Sequence, residues 1–143
     1  MKKTDPPILV EESYNVPILK VWDAITDLDE MKLWYFDNID NFQPEIGSKS
    51  RFQVQSGERI FTHLWEVTEV NVPTKIIYSW KYEEYQGDSF VSFELEEFGN
   101  QTRLILRVEV IEDFADNIPE FERDSCVGGW QYFLKKRLKE YLT

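Results

Sequence analysis

The chain has 143 residues, 16 of them Lys or Arg and 27 Asp or Glu, for a formal charge of −11. That balance excludes a nucleic-acid backbone or an anionic membrane surface as the natural partner, since both recognise clustered Lys and Arg. With 42% hydrophobic and 15% aromatic residues there is material for a core, which excludes intrinsic disorder, and the length is that of one domain over residues 1–143.

Cys126 is the only cysteine, so neither an intramolecular disulfide nor a cysteine-based metal cluster is available. No run approaches the roughly 18 apolar residues of a membrane span, and Lys2 and Lys3 have no apolar run behind them as a signal peptide would. The expectation is a cytoplasmic protein with no membrane insertion. The high net charge favours a monomer over an oligomer.

In chain order, Ile8 to Asn15 reads as a short strand that ends by Val16, because a residue before proline is pushed out of the helical region. Pro17 suits the first turn of a helix, and Ile18, Val21, Trp22 and Ile25 recur at helical spacing. Asp27 or Asp29 caps a second short helix, whose apolar residues are Met31, Leu33, Trp34 and Phe36. Beyond Gly47 the period changes to two. Phe52 and Val54 share one face, and Ser56-Gly57-Glu58 turns the chain. Phe61, His63, Trp65 and Val67 form the inner face of the next strand, ended by Asn71 to Thr74. Ile76, Tyr78, Trp80 and Tyr82 follow, then Val91, Phe93 and Leu95, then Leu104, Leu106, Val108 and Val110. Short turns at Gly87 and Gly99 join them into a five-strand antiparallel meander.

One face of this meander is apolar and the other carries Arg51, Gln53, Ser79, Lys81, Ser92, Glu94, Arg107 and Glu109, so the apolar face needs a cover. From Asp124 to Leu142, Val127, Trp130, Leu134, Leu138 and Tyr141 repeat at three- and four-residue intervals, the pattern of an amphipathic helix able to cross the sheet. Gly128 and Gly129 are costly in a helix interior, by about 1 kcal/mol each. They imply either close approach to the sheet or a helix that begins only near Gly128-Gly129-Trp130. The acidic stretch Glu112 to Arg123 is an irregular loop placed to gate a pocket. The fold class is therefore α+β: a first strand, two short helices and a meander, curved around a long C-terminal helix.

This order resembles the activator-of-Hsp90-ATPase homologue family of the START-like (SRPBCC, Bet v 1-like) helix-grip superfamily. The resemblance rests on Val16-Pro17-Ile18-Leu19-Lys20-Val21-Trp22-Asp23-Ala24-Ile25, on Trp65-Glu66-Val67-Thr68-Glu69-Val70 through Pro73 to Ile77-Tyr78-Ser79-Trp80, on the Gly99-Asn100 turn, and on Gly128-Gly129-Trp130 leading to Phe133-Leu134. It implies a cavity between sheet and terminal helix that takes apolar molecules in the superfamily. The eukaryotic Hsp90 activators of the family add an N-terminal domain with an asparagine- and tryptophan-rich motif, and no such motif is read in this chain.

The leading expectation is a binding domain, not an enzyme, for a small hydrophobic or amphipathic ligand. Its walls are Phe61, His63, Trp65, Tyr78, Trp80, Phe93 and Leu106, under a roof of Trp130 and Leu134. His63 is the one weak candidate for acid–base chemistry, and nothing in the sequence sets a partner beside it. Cys126 lacks a histidine partner for a nucleophilic role. Of the arginines 51, 59, 103 and 107, one facing the cavity could hold a ligand carboxylate, but parity places Arg51 and Arg107 on the wet face, where cross-strand ion pairs with Glu94 or Glu109 explain them. No cofactor or metal is expected. A chaperone partner is an alternative that the residues themselves do not support, and a cyclase- or hydrolase-type enzyme on an apolar substrate is a third.

Overall fold

The computed structural model describes residues 1–143. Six strands form one antiparallel sheet in the order β1-β6-β5-β4-β3-β2. They are β1 (Ile8–Tyr14), β2 (Lys49–Ser56), β3 (Arg59–Asn71), β4 (Lys75–Tyr82), β5 (Asp88–Phe98) and β6 (Gln101–Glu112). The last five are the expected meander, and β1 closes the far edge beside β6. Helices α1 (Ile18–Thr26) and α2 (Leu28–Trp34) lie between β1 and β2. The terminal helix runs as α3 (Arg123–Gln131), a π-type segment (Tyr132–Arg137) and a last turn, α4 (Leu138–Tyr141). No helix is long and apolar enough to cross a membrane.

Local chemistry accounts for these elements. Pro17 stands at the start of α1, whose Val21, Trp22, Ala24 and Ile25 are buried. Asp27, not Asp29, caps α2: its carboxylate accepts from the Glu30 N–H at 3.1 Å. The Trp34 indole N–H donates to the Ala24 carbonyl at 2.7 Å and locks the two helices together. Leu33 is exposed and Phe36 lies beyond the helix end, so the apolar side of α2 is narrower than its sequence suggests. The register of β3 against β4 shifts between Val67 and Glu69. The extra residue, Thr68, reverses the alternation, so Val70 packs against the core where strict parity would have turned Glu69 inward.

The core is the inner face of the sheet against the helices. Trp65, Tyr78, Phe93, Leu104, Leu106, Leu134 and Leu138 are all buried there. Tyr14 of β1 fastens the terminal helix. Its hydroxyl donates to the Leu134 carbonyl at 2.7 Å, while the Leu138 N–H that would take this carbonyl in an α-helix reaches back to Phe133. The hydroxyl and the π-type turn thus satisfy each other. Lys135 and Lys139 donate to the carbonyls of Glu11 and Ser13, which ties the polar side of the helix to the same edge strand.

Two expectations about the helix start are corrected. The helix begins at Arg123, five residues before Gly128, so the glycines are interior. Neither approaches the sheet: a Cβ at either position meets nothing within 4 Å, and both residues are exposed. The loop before the helix is also better anchored than its composition implied. Phe114 and Phe121 are buried with Phe61 in a satellite cluster, and Glu120 accepts from Ser56 and pairs with Arg59. Phe114 packs directly on Gly87, whose φ is +122° and where a Cβ would stand 2.3 Å from the ring. Only glycine fits there.

Candidate functional site

A cavity of about 170 Å³ lies between the inner face of the sheet and the terminal helix. Its existence follows from side-chain size. Along most of the inner face aromatic rings fill the space under the helix, but β5 contributes only Ser89 and Val91 here, and β6 Val108. Trp80, Trp130 and Phe133 close the sides, and Phe114 closes the loop end. Gly129 lines the same space and is exposed, so the cavity meets solvent beside it.

His63 forms part of the wall. It is 5% exposed, stacks on Phe52 at 4.7 Å and meets Tyr82 edge-on at 4.9 Å. Nδ1 lies 3.0 Å from the Phe61 carbonyl, which only accepts, so this nitrogen carries the proton. Nε2 is then the lone-pair nitrogen, and no protein group bonds it. Burial lowers the pKa of the ring from 6.5 to about 4, against smaller opposing effects of the Phe61 carbonyl and Glu84. His63 is therefore neutral at pH 7 and presents an acceptor.

Beside it, the Tyr82 hydroxyl accepts from the Trp80 indole N–H at 2.9 Å and has no acceptor for its own proton. Burial raises its pKa, so the proton stays in place. Of the other polar groups of the wall, the buried Oε1 of Glu120 has no hydrogen-bond partner and faces the Arg59 guanidinium at 3.5 Å, whereas Ser89 and Cys126 are occupied. Ser89 donates to the Trp80 carbonyl at 2.9 Å, and the Cys126 thiol donates to the Glu120 carbonyl at 3.5 Å. Burial pushes the Cys126 pKa up to about 11, so it is a thiol and not a nucleophilic thiolate. None of the arginines 51, 59, 103 and 107 lines the cavity; they pair with Glu83, Glu120, Glu11 and Glu109, and Arg59 meets the wall only through Glu120. The partner of Arg51 is thus Glu83 across the sheet, and Arg107 pairs along its own strand.

Of the nine residues expected to line a cavity, His63, Trp80 and Trp130 do so. Trp65, Tyr78, Phe93, Leu106 and Leu134 pack in the core, and Phe61 belongs to the loop cluster. The Tyr78 hydroxyl is 3.0 Å from that of Tyr35, so it is spent inside the protein. The buried Trp65 indole N–H has no oxygen or nitrogen partner; Phe52 and Phe42 meet the ring edge-to-face at 4.8 and 6.3 Å. Sequence reasoning missed Ser89, Phe114 and Cys126, because a small polar residue, a loop aromatic and a lone cysteine carry no periodic signal. Tyr82 was legible from its parity with Trp80.

A second, polar groove of about 400 Å³ is bounded by Lys32, Asn38, Gln53 and Arg137. Phe36 lines both the groove and the inner cavity. Its ring, 5.1 Å from both His63 and Phe133, is the partition between them.

The profile of the family described as "Activator of Hsp90 ATPase homolog 1-like protein" matches residues 15–143. The chain belongs to that family. Protein CV1439 from Chromobacterium violaceum superposes with a TM-score of 0.79 at 17% identity, covering 95% of this chain and 96% of that one. The Aha1 dimer from Colwellia psychrerythraea gives 0.77 at 20% identity, with 96% of each chain covered. DynU16, described as a protein of the dynemicin biosynthetic locus, gives 0.76 at 22% identity over 96% of this chain but 47% of its own. This chain spans about half the length of DynU16. At these identities the likeness is one of fold, the helix-grip architecture. No curated protein matches.

Proposed function

We propose that this family member binds a small, largely apolar molecule in the cavity between the sheet and the terminal helix. The observation that carries the reading is an apolar cavity of about 170 Å³ that reaches solvent beside Gly129 and has a buried, neutral histidine on its wall. The volume limits the occupant. An engineered cavity of about 150 Å³ in another protein holds one benzene, whereas drug-sized ligands occupy roughly 300–1,000 Å³. One ring, or an equivalent short branched chain, fits; a sterol or long acyl chain does not. Burying about 200 Å² of apolar ligand surface at about 25 cal/mol/Å² gives about 5 kcal/mol before association costs, so an unfunctionalised ring binds no tighter than about 0.2 mM. The reading carries with it a cytoplasmic monomer.

The test is a titration with toluene followed by amide and indole NMR shifts. Saturable shifts at the Trp80 and Trp130 indoles are expected, and a Val91→Phe variant that fills the space should abolish them. Shifts that remain linear in toluene, or that survive Val91→Phe, would contradict it.

A further inference from the structure

We infer that the cavity selects a neutral, single-ring-sized molecule bearing one hydroxyl group, whose O–H donates to His63 Nε2 and whose oxygen accepts from the Tyr82 O–H. The inference rests on the cavity reading above and adds the polar end of the ligand. Two groups on one stretch of wall have unused capacity: a lone-pair nitrogen on a buried histidine, and a phenol proton with no acceptor. Their residues pair directly across β3 and β4, His63 opposite Tyr82. The rings meet at 4.9 Å and 78°. Both residues line the cavity, and hydrogen-bonding capacity left unused on a cavity wall is what a guest can complete.

Complementarity fixes the guest. An acceptor and a donor side by side match one hydroxyl, which has a proton to give and lone pairs to receive. A bare hydrocarbon leaves both unsatisfied, and an ether satisfies only the tyrosine. The remaining polar groups do not favour an anion. Glu120 on the same wall is held as a carboxylate by Ser56 and Arg59, and the Met1 ammonium at the loop end donates to the Phe121 carbonyl at 2.8 Å. The volume admits one ring beside these groups.

The probes are phenol, anisole, benzene and benzoate, each measured by calorimetry on the full chain. Phenol should bind about tenfold or more tighter than benzene, as two modest hydrogen bonds would give, with anisole between them. His63→Phe and Tyr82→Phe should each remove most of that advantage, read as the ratio of phenol to benzene affinity within the same variant, with circular dichroism as the check that the variant is folded. Benzene and phenol binding alike would overturn the hydroxyl inference while leaving the cavity reading intact. Benzoate binding tighter than phenol would overturn it in favour of an anion. If no probe binds, both readings fall together.

Discussion

Lowering the pH from 7 to 5 should destabilise this protein through His63 alone by about 2 kcal/mol. The ring is 5% exposed and its pKa is about 4 in the fold, against 6.5 for an unburied histidine. The sign follows from which state takes up the proton. Between these two values the unfolded chain binds a proton that the folded one refuses, so stability is full above pH 6.5 and falls as the pH drops towards 4. Integrating over pH 7 to 5 gives about 2 kcal/mol, and the whole interval about 3 kcal/mol. Urea denaturation at pH 7, 6 and 5 should be compared with that of His63→Gln, which keeps a hydrogen-bond donor at the position but does not titrate. Carboxylates such as Glu84 are common to both proteins and cancel in the difference. The parent should lose about 2 kcal/mol more than the variant. Parallel losses would refute a buried neutral histidine, and with it the acceptor on the cavity wall.

Gly87→Ala should destabilise by more than about 1 kcal/mol in thermal denaturation, because the φ of +122° and the contact with Phe114 both oppose a Cβ. Gly128→Ala and Gly129→Ala should each stabilise by about 0.5–1 kcal/mol, since the Cβ enters open space in an established helix. Gly129→Leu should in addition slow ligand entry, measured by stopped-flow fluorescence. Tyr14→Phe should cost about 1 kcal/mol by leaving the Leu134 carbonyl without its donor. Phe36→Ala removes the partition between cavity and groove; it should cost about 2–4 kcal/mol and admit a two-ring probe such as naphthalene, which the parent excludes.

The meander was legible because its strands alternate over most of their length, the shift at Thr68 excepted. Trp65, Tyr78 and Phe93 announce one face, and short turns at Gly57, Gly87 and Gly99 leave little choice of connection. The terminal helix was legible from Trp130, Leu134 and Leu138, but its start was not. An interior Gly-Gly pair reads as a boundary or a close contact, and here it is neither. The cavity was the least legible part, because alternation reports which way a residue points and not how much room remains in front of it. Trp65 and Trp80 point the same way, yet Trp65 is enclosed by Tyr35, Phe36, Phe42 and Phe52 while Trp80 borders empty space. That difference arises from Ser89 and Val91 on the strand beside Trp80, whose small side chains leave room that alternation does not report. It also depends on Phe36 and Phe114, which reach the site from irregular segments.

The central claim, that this family member holds a ring-sized ligand between sheet and terminal helix, is tested most directly by a crystal structure grown with bromobenzene and recorded at the bromine edge. The account predicts a single anomalous peak inside the cavity, between Trp80 and Trp130 and within van der Waals reach of Val91. Bromine only at the surface, with that space empty or filled by ordered water, would contradict it.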